Sequence, residues 1–514
     1  MQLDFAVNFI DALGINPLFL LIVLPLVGAV LAAIVRGRGA RIIALLVTGF
    51  ELLYSIILAL AMDPAAQVDA NGGVFGWGFE MGRLGVGESA PVLQILLGVD
   101  GLSIVMAILS NLVVFIAALS SNHINKEQGS YYALFLLLET GLLGVFLSFD
   151  LISFFVFWEL VLIPMFFIIG QWGEEGCEHA AVKFFIYTHL GSAAMLVGFF
   201  ALFFLGGNTF NMVVLKGLSL APLVQIGFAL AVFMGAGVKL PVWPLHNWLP
   251  WAHVKAPTPG SVILAGILLK MGGYTFIRLG LWLVPAAMAR LAIPFALLAI
   301  FTCIYAAFTA LAQTDLKSMV AYTSINHMAW VLLGVAVAAG AIGSPEFAGV
   351  ASFAIMGAVF MMFSHGTIIS VMFIMAGQLK YAAGTREIPD VKGLMAGAPR
   401  MSMVLILASF AAFGLPGFSG FIAEALVLFG SVRIYIWASL IALGVFLTVG
   451  YLLWTLNRIV FSDPVEERPV TEAPWSDLIA PILMMLPVLL LGFWPDLILD
   501  YIEPIVNVIL GVVP

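Results

Sequence analysis

An all-α polytopic membrane protein is the fold class this sequence predicts, and three observations carry the prediction. Of its 514 residues, 63% are hydrophobic and only 9% charged, where soluble domains devote about a quarter of their residues to charge. Apolar runs of about twenty residues, the length that crosses roughly 30 Å of hydrocarbon, recur from end to end. The polar stretches between them are mostly short, as in a bundle whose backbone groups must be satisfied within helices because lipid offers no partners.

The runs fall near residues 17–35, 42–62, 97–120, 131–148, 150–170, 180–205, 221–250, 259–282, 291–313, 318–340, 349–377, 401–430, 434–461 and 477–497, about fourteen transmembrane helices. The first follows MQLDFAVNFIDALGINPLF, which lacks the positive start and small-residue cleavage site of a signal peptide, so it is expected to stay as a helix. RGRGAR separates it from the second. The acidic segment 63–96, the largest loop, leads to the third. SSNHINKEQGS, SFD, GEEG and GGN punctuate the next four junctions. The seventh run is interrupted by Pro241 and Pro244, and APTPG opens the eighth. TDLK opens the tenth, GSPE the eleventh, and the mixed-charge connector KYAAGTREIPDVKG (380–393) precedes the twelfth. That run is interrupted by GLPG, and DPVEERPVTEAPWSD leads to the last. The end, YIEPIVNVILGVVP, reads either as an interfacial helix or as a contact for a neighbour.

Placing the N-terminus outside puts Arg36, Arg38, Arg41, Lys126, Lys183, Lys255, Lys317, Lys380, Arg386, Lys392, Arg400, Arg458 and Arg468 in inner loops. The outer side keeps only Arg83, Lys216, Arg290 and Arg433. The positive-inside rule then orients the chain with both termini out. The acidic balance, 20 Lys+Arg against 28 Asp+Glu, excludes nucleic-acid binding, which needs a clustered basic footprint. Cys177 and Cys303 have no CxxC spacing, so no iron–sulfur or zinc site of this chain's own is expected. The glycine-rich pieces GGVFGWGFEMG (72–82) and GLPGFSG (414–420) lack the GxGxxG spacing and strand–helix context of dinucleotide binding.

A charge at the centre of a helix in lipid costs about 2.5–3.5 kcal/mol on insertion scales, so each needs a reason. Glu159, Lys239, Lys270 and Glu424 each lie near the middle of a run. Any one of them alone could be half of a structural ion pair. Four, on four runs, with histidines between them, point to proton transfer: lysine can lose its proton when desolvated, whereas guanidinium stays charged. Glu139 and Glu51 form a second tier. His189, His246, His327 and His365 fall in or beside runs and titrate close to physiological pH; for His189 and His365 a hydrogen-bonded core histidine is the competing reading. Arg278, near the outer end of its run, is expected to snorkel to the interface.

Two runs break alike. GVKLPVWP (237–244) and GLPGFSGFIAE (414–424) set proline after a long apolar half-helix, each with a buried charge close by, Lys239 and Glu424. Broken spans in corresponding positions of two halves are the sequence sign of inverted repeats in transporters. The division this suggests is 1–130 as N-terminal helices and outer loop, 131–282 and 291–461 as two repeats, and 462–514 as C-terminal helix and tail.

FWELVLIPMFFIIGQWG, VKLPVWPLHNWLPWAHVKAPTPGSVILAGILLKMGGY, TDLKSMVAYTSINHMAW and GLPGFSGFIAE together resemble the antiporter-like proton-translocating subunits of respiratory complex I. More narrowly, they are similar to the M type of NADH-quinone oxidoreductase, called chain 4 in mitochondria and chloroplasts. The resemblance covers roughly residues 95–460. It implies fourteen helices with two inverted five-helix repeats and two broken helices, and no redox group in this chain; flavin, iron–sulfur clusters and quinone are expected in partner subunits. It also implies L-type and N-type neighbours in the membrane arm of a bacterial inner membrane. By resemblance Glu159 modulates Lys239, Lys270 is the connecting lysine and Glu424 the terminal group, with His246, His327, His365 and Glu139 supporting. Glutamate at 424, where L and N types and many antiporter subunits carry lysine, favours the M type. Trp251 and Lys255 depart from the acidic residues common in relatives. A subunit of a multi-subunit sodium/proton antiporter, or of a membrane-bound hydrogenase complex, is the alternative.

Overall fold

The structure is a computed structural model that describes residues 13–35, 37–62, 79–84, 93–464 and 470–511, together with residues 7 and 10. Arg36, Arg468 and most of the acidic segment and its glycine-rich stretch lie outside the described residues.

Among the described residues, thirteen helices are long and apolar enough to cross a membrane. The run expected at 401–430 is divided into two shorter helices, Pro399–Ala412 and Ser419–Ile434. The chain is accordingly all-α and polytopic. Within the acidic segment, Phe79–Leu84 and Leu93–Leu97 pair as a two-stranded antiparallel ribbon, from Phe79 opposite Leu97 to Leu84 opposite Leu93.

Helix starts follow local chemistry. Side-chain oxygens of Asp100, Asp150 and Asp315 accept the amides of Ser103 (2.8 Å), Ile152 and Ser153 (2.9 and 3.0 Å), and Ser318 (2.8 Å), occupying donors that a first turn otherwise leaves orphaned. Pro222, Pro285, Pro345 and Pro399 open their helices, where the missing N–H is no loss.

Burial sorts the helices into inner and outer. Thr258–Trp282 is buried over its whole apolar window and Leu316–Ala341 over 94%, while Pro17–Val35 and Ile436–Ile459 are buried over only 33%. The first two form the axis of the bundle, and the polar groups they carry are screened from lipid by the rest. The C-terminal helix, Asp496–Leu510, lays Ile498, Ile502, Ile505, Val506 and Ile509 onto this chain's own helices Gly101–Leu119 and Pro345–Ala383. Tyr501 donates to the carbonyl of Ala59 at 3.0 Å. Its apolar face is therefore taken up by the bundle itself.

Candidate functional site

The first break begins where helix Pro222–Lys239 ends, at the lysine. A turn follows, and the chain resumes as the short helix Trp248–Lys255. Carbonyls freed by the break find donors: Leu240 N to Ala236 at 2.7 Å, Val242 N to Gly237 at 2.9 Å, and the Trp248 indole to Val238 at 2.9 Å. Such irregular backbone survives at membrane depth only inside protein. Helix Thr258–Trp282 lies directly against it, and Gly272 makes that possible. A Cβ there would stand 2.6 Å from the Ala236 carbonyl and 2.7 Å from Leu240 N.

Lys239 is buried, and its ammonium has no hydrogen-bond partner among the described residues. It stands 5.3 Å from the centre of the Trp158 ring and 5.9 Å from that of Phe184. The expected approach of Glu159 is long-range: its charge acts on Lys239, but its carboxylate is paired with His189 Nδ1 at 3.0 Å. That pair is partly open at the flank of the bundle, with side chains 22% and 53% exposed. His189 is thus no core histidine.

At the centre, Lys270 sits between two π-helical turns, Leu264–Leu268 and Phe276–Trp282, a departure from α-geometry frequent at functional sites. Its Nζ donates to the Ala265 carbonyl and lies 2.6 Å from His365 Nδ1. The ring of His365 is 5.4 Å from that of His327. These three residues come from three helices and are all buried. The expected His246 lies apart, in the turn after Lys239, packed edge-on to Tyr305 at 5.2 Å.

The second break places Glu424 over backbone. Gly414 has φ +73°, and a Cβ on it would stand 2.3 Å from Glu424 Oε2. Only glycine satisfies both the left-handed conformation and that contact, which accounts for the first glycine of GLPG. Beside it, Ser364 and Ser419 share a hydrogen bond of 2.8 Å. His327 lies next to the main chain of Ala412, where the first half-helix ends.

Two expectations are corrected. Arg278 does not snorkel: it is 1% exposed, paired with the buried Asp100, bonded through Nε to Tyr274 at 3.2 Å, and enclosed by the rings of Phe149, Tyr274 and Trp282. A guanidinium held in this way ties helix Gly101–Leu119 to the end of Thr258–Trp282. Lys317 is not a loop cation either. It lies in the first turn of helix Leu316–Ala341, 1% exposed, donating to the Ala256 carbonyl at 2.6 Å. The charge of Glu139 acts on Glu51; both are buried, and none of their carboxyl oxygens has a hydrogen-bond partner among the described residues.

His253 went unnoticed in the sequence. It is fully buried, stacks on Phe373 at 4.4 Å, and neither ring nitrogen has a hydrogen-bond partner among the described residues. The signal was there, since HNWLPWAH sets it seven residues after His246. At the Lys/Arg-rich face below it, Arg386 donates to Glu174 at 2.6 Å, to Asp315, and to the Val254 carbonyl at 3.3 Å, while Lys380 reaches Glu174 at 3.0 Å. Burial alone would push the Glu174 carboxyl up; Arg386, Lys317 and Lys380 outweigh it and hold the group below the ordinary glutamate value. Lys255 bonds the Glu175 carbonyl at 2.7 Å, and Trp251 lies exposed beneath the Lys183 ammonium, so both departures sit at this surface. No group of three or more His, Cys, Asp or Glu among the described residues could hold a metal ion. Cys303 donates instead to Asn326 at 3.3 Å.

Residues 148–449, more than half of the chain, match the family described as NADH:quinone oxidoreductase/Mrp antiporter, TM. The chain belongs to this family. NADH-quinone oxidoreductase subunit M of Rhodobacter capsulatus is 37% identical over 95% of each chain. F(420)H(2) dehydrogenase subunit M of Methanosarcina mazei is 36% identical over 78% of this chain and 81% of its own. Among solved structures, a chain of respiratory complex I from Thermus thermophilus superposes with a TM-score of 0.84 at 27% identity, covering 97% of this chain and 100% of that one. The family match contains both breaks, both lysines, Glu159 and Glu424. The helices before residue 148 and after 449 surround that block, and the Asp100–Arg278 pair fastens the N-terminal part to it.

Proposed function

We propose that this chain is the M-type proton-translocating subunit in the membrane arm of a complex I-type NADH-quinone oxidoreductase. It moves protons along Glu159, Lys239, Lys270 and Glu424 while quinone is reduced in other subunits. The observation that carries the reading is the centre of the bundle: a buried lysine, Lys270, whose partners are a carbonyl and a histidine rather than a carboxylate. A structural ion pair would neutralise the ammonium permanently. An imidazole partner leaves it free to exchange its proton.

The two breaks, with a charge at each, support an inverted-repeat transporter core, whose repeats are proposed at 131–282 and 291–461. The open Glu159–His189 pair supports a neighbour on that flank, because an ion pair facing lipid is costly. L-type and N-type subunits are the neighbours proposed. Flavin, iron–sulfur clusters and quinone belong to partner subunits, this chain contributing to catalysis without redox chemistry of its own. The cation-rich face is placed inside, with both termini on the outer side of a bacterial inner membrane.

The test replaces Lys239 with Ala and follows quinone reduction and proton pumping in the same vesicles. Coupled loss of both is expected; wild-type levels of both would remove the lysine, and with it this reading. Proteins that co-purify in mild detergent identify the complex: flavin and iron–sulfur subunits support the proposal, nickel subunits a hydrogenase, and purely membrane partners an antiporter.

A further inference from the structure

Lys239, Lys270 and Glu424 are all buried, so protons must reach them from one face. At the Lys/Arg-rich face a cavity of about 220 Å³ is lined by acidic and basic groups, Glu174, Lys380 and Arg386, and by the neutral polar Thr258 and Gln378. Three of these lining groups, Glu174, Arg386 and Lys380, act together with Asp315 on the ammonium of the buried Lys317. Lys317 is held by the carbonyl of Ala256, three residues beyond His253. The charges of both Lys317 and Lys270 act on His253, which in turn acts on His365.

Buried polar groups in native proteins are almost always hydrogen-bonded, so one that is not calls for an explanation, and a catalytic role is one. His253 is 0% exposed, neither of its ring nitrogens has a hydrogen-bond partner among the described residues, and the charges of two buried lysines act on it. Its stacking on Phe373 and the hydrogen bond of its carbonyl to Ser261 at 3.0 Å account for its position. They do not account for an imidazole, since phenylalanine would stack as well.

We propose that Lys317 and His253 are the intake relay that delivers protons from this cavity to Lys270, with the Arg386 lattice on Glu174 and Asp315 as its outer frame. The Lys317 ammonium gives an N–H proton to an imidazole nitrogen of His253 and is reprotonated from the cavity. His253 passes a proton to the Lys270 amine and returns to neutral. The inference rests on the proton-translocating reading and adds an entrance that meets the lysine axis at Lys270 rather than at the break.

The assembled complex in sealed vesicles tests it, with H253F, which keeps the stack, and K317R, which keeps charge and donor but does not release a proton. Both are expected to assemble with the full set of subunits and to lower pumping by about tenfold or more, in the range of lost proton-transfer groups. Gln378→Cys should be blocked by a membrane-impermeant thiol reagent from the cation-rich side alone, with pumping falling as labelling proceeds. Wild-type pumping in H253F and K317R while K239A is inactive would overturn the relay and leave the proposed function standing. Wild-type pumping in all three would overturn both. Should H253F fail to assemble, K317R and the cysteine decide: full pumping in K317R, or labelling from the opposite side, sinks the relay.

Discussion

Lys270 Nζ and His365 Nδ1 stand 2.6 Å apart in the buried centre of the bundle, and no carboxylate stands between them. One is two residues past the end of a π-helical turn and the other is on a helix of 39 residues. A lysine hydrogen-bonded to imidazole can pass a proton to it only if the imidazole offers a lone pair. Replacing His365 by phenylalanine is therefore expected to lower pumping about a hundredfold, with His365→Gln, a polar side chain that does not titrate, no better. Vesicle pumping at matched subunit content measures it. Recovery in the Gln variant would show that the ring only positions Lys270.

Much of this site was legible in the sequence because charge in an apolar run has a cost that composition exposes. Lys239, Lys270 and Glu424 announce themselves this way, and the prolines beside two of them mark the breaks. Lys317 did not, because the aspartate before it in TDLK makes it read as a solvated helix start; its burial comes from the Ala256 carbonyl, 61 residues earlier. The partner of Arg278 is 178 residues away, a pairing no local pattern encodes. Nor does hydropathy say which side of a helix faces out, so the lateral position of Glu159 and His189 had to come from the packing.

That lateral position carries its own prediction. A cysteine at position 189 should react readily with a maleimide in the detergent-isolated chain and be protected in the assembled complex, where a neighbour covers the flank. Equal labelling in both states would mean that the pair faces lipid or water in the complex.

Gly414 makes a stricter demand than the break itself. Alanine there is strained by the left-handed φ and meets the Glu424 carboxylate at 2.3 Å, so Gly414→Ala should displace that carboxylate. Pumping is expected to fall to the level of Glu424→Gln, and the double variant should be no worse than either single one. An additive loss would place the two residues in separate roles.

The Asp100–Arg278 pair is expected to show the asymmetry of buried charge. Removing one partner, by Arg278→Leu or Asp100→Leu, leaves the other unpaired and costs about 3–5 kcal/mol; the double leucine variant should recover most of it. Thermal unfolding of the purified complex, with the yield of assembled subunit, reads the difference. Single variants as stable as the double one would mean that lipid or water reaches these side chains after all.

Acid should loosen the cation-rich face first. Glu174 is held below its ordinary value, by Arg386 foremost among its partners. Its ionised form therefore favours the folded loop, and the contribution is complete above the unfolded value of about 4.3. It is lost as pH falls through the lower folded value, where the native carboxylate takes up its proton. Glu174→Gln lacks the contribution at every pH. The wild-type melting temperature should exceed that of the variant at neutral pH, and the gap should close progressively below about pH 4. A gap that is constant across that range would assign the loop's stability to hydrogen bonds that glutamine also makes, and not to the charge on Glu174.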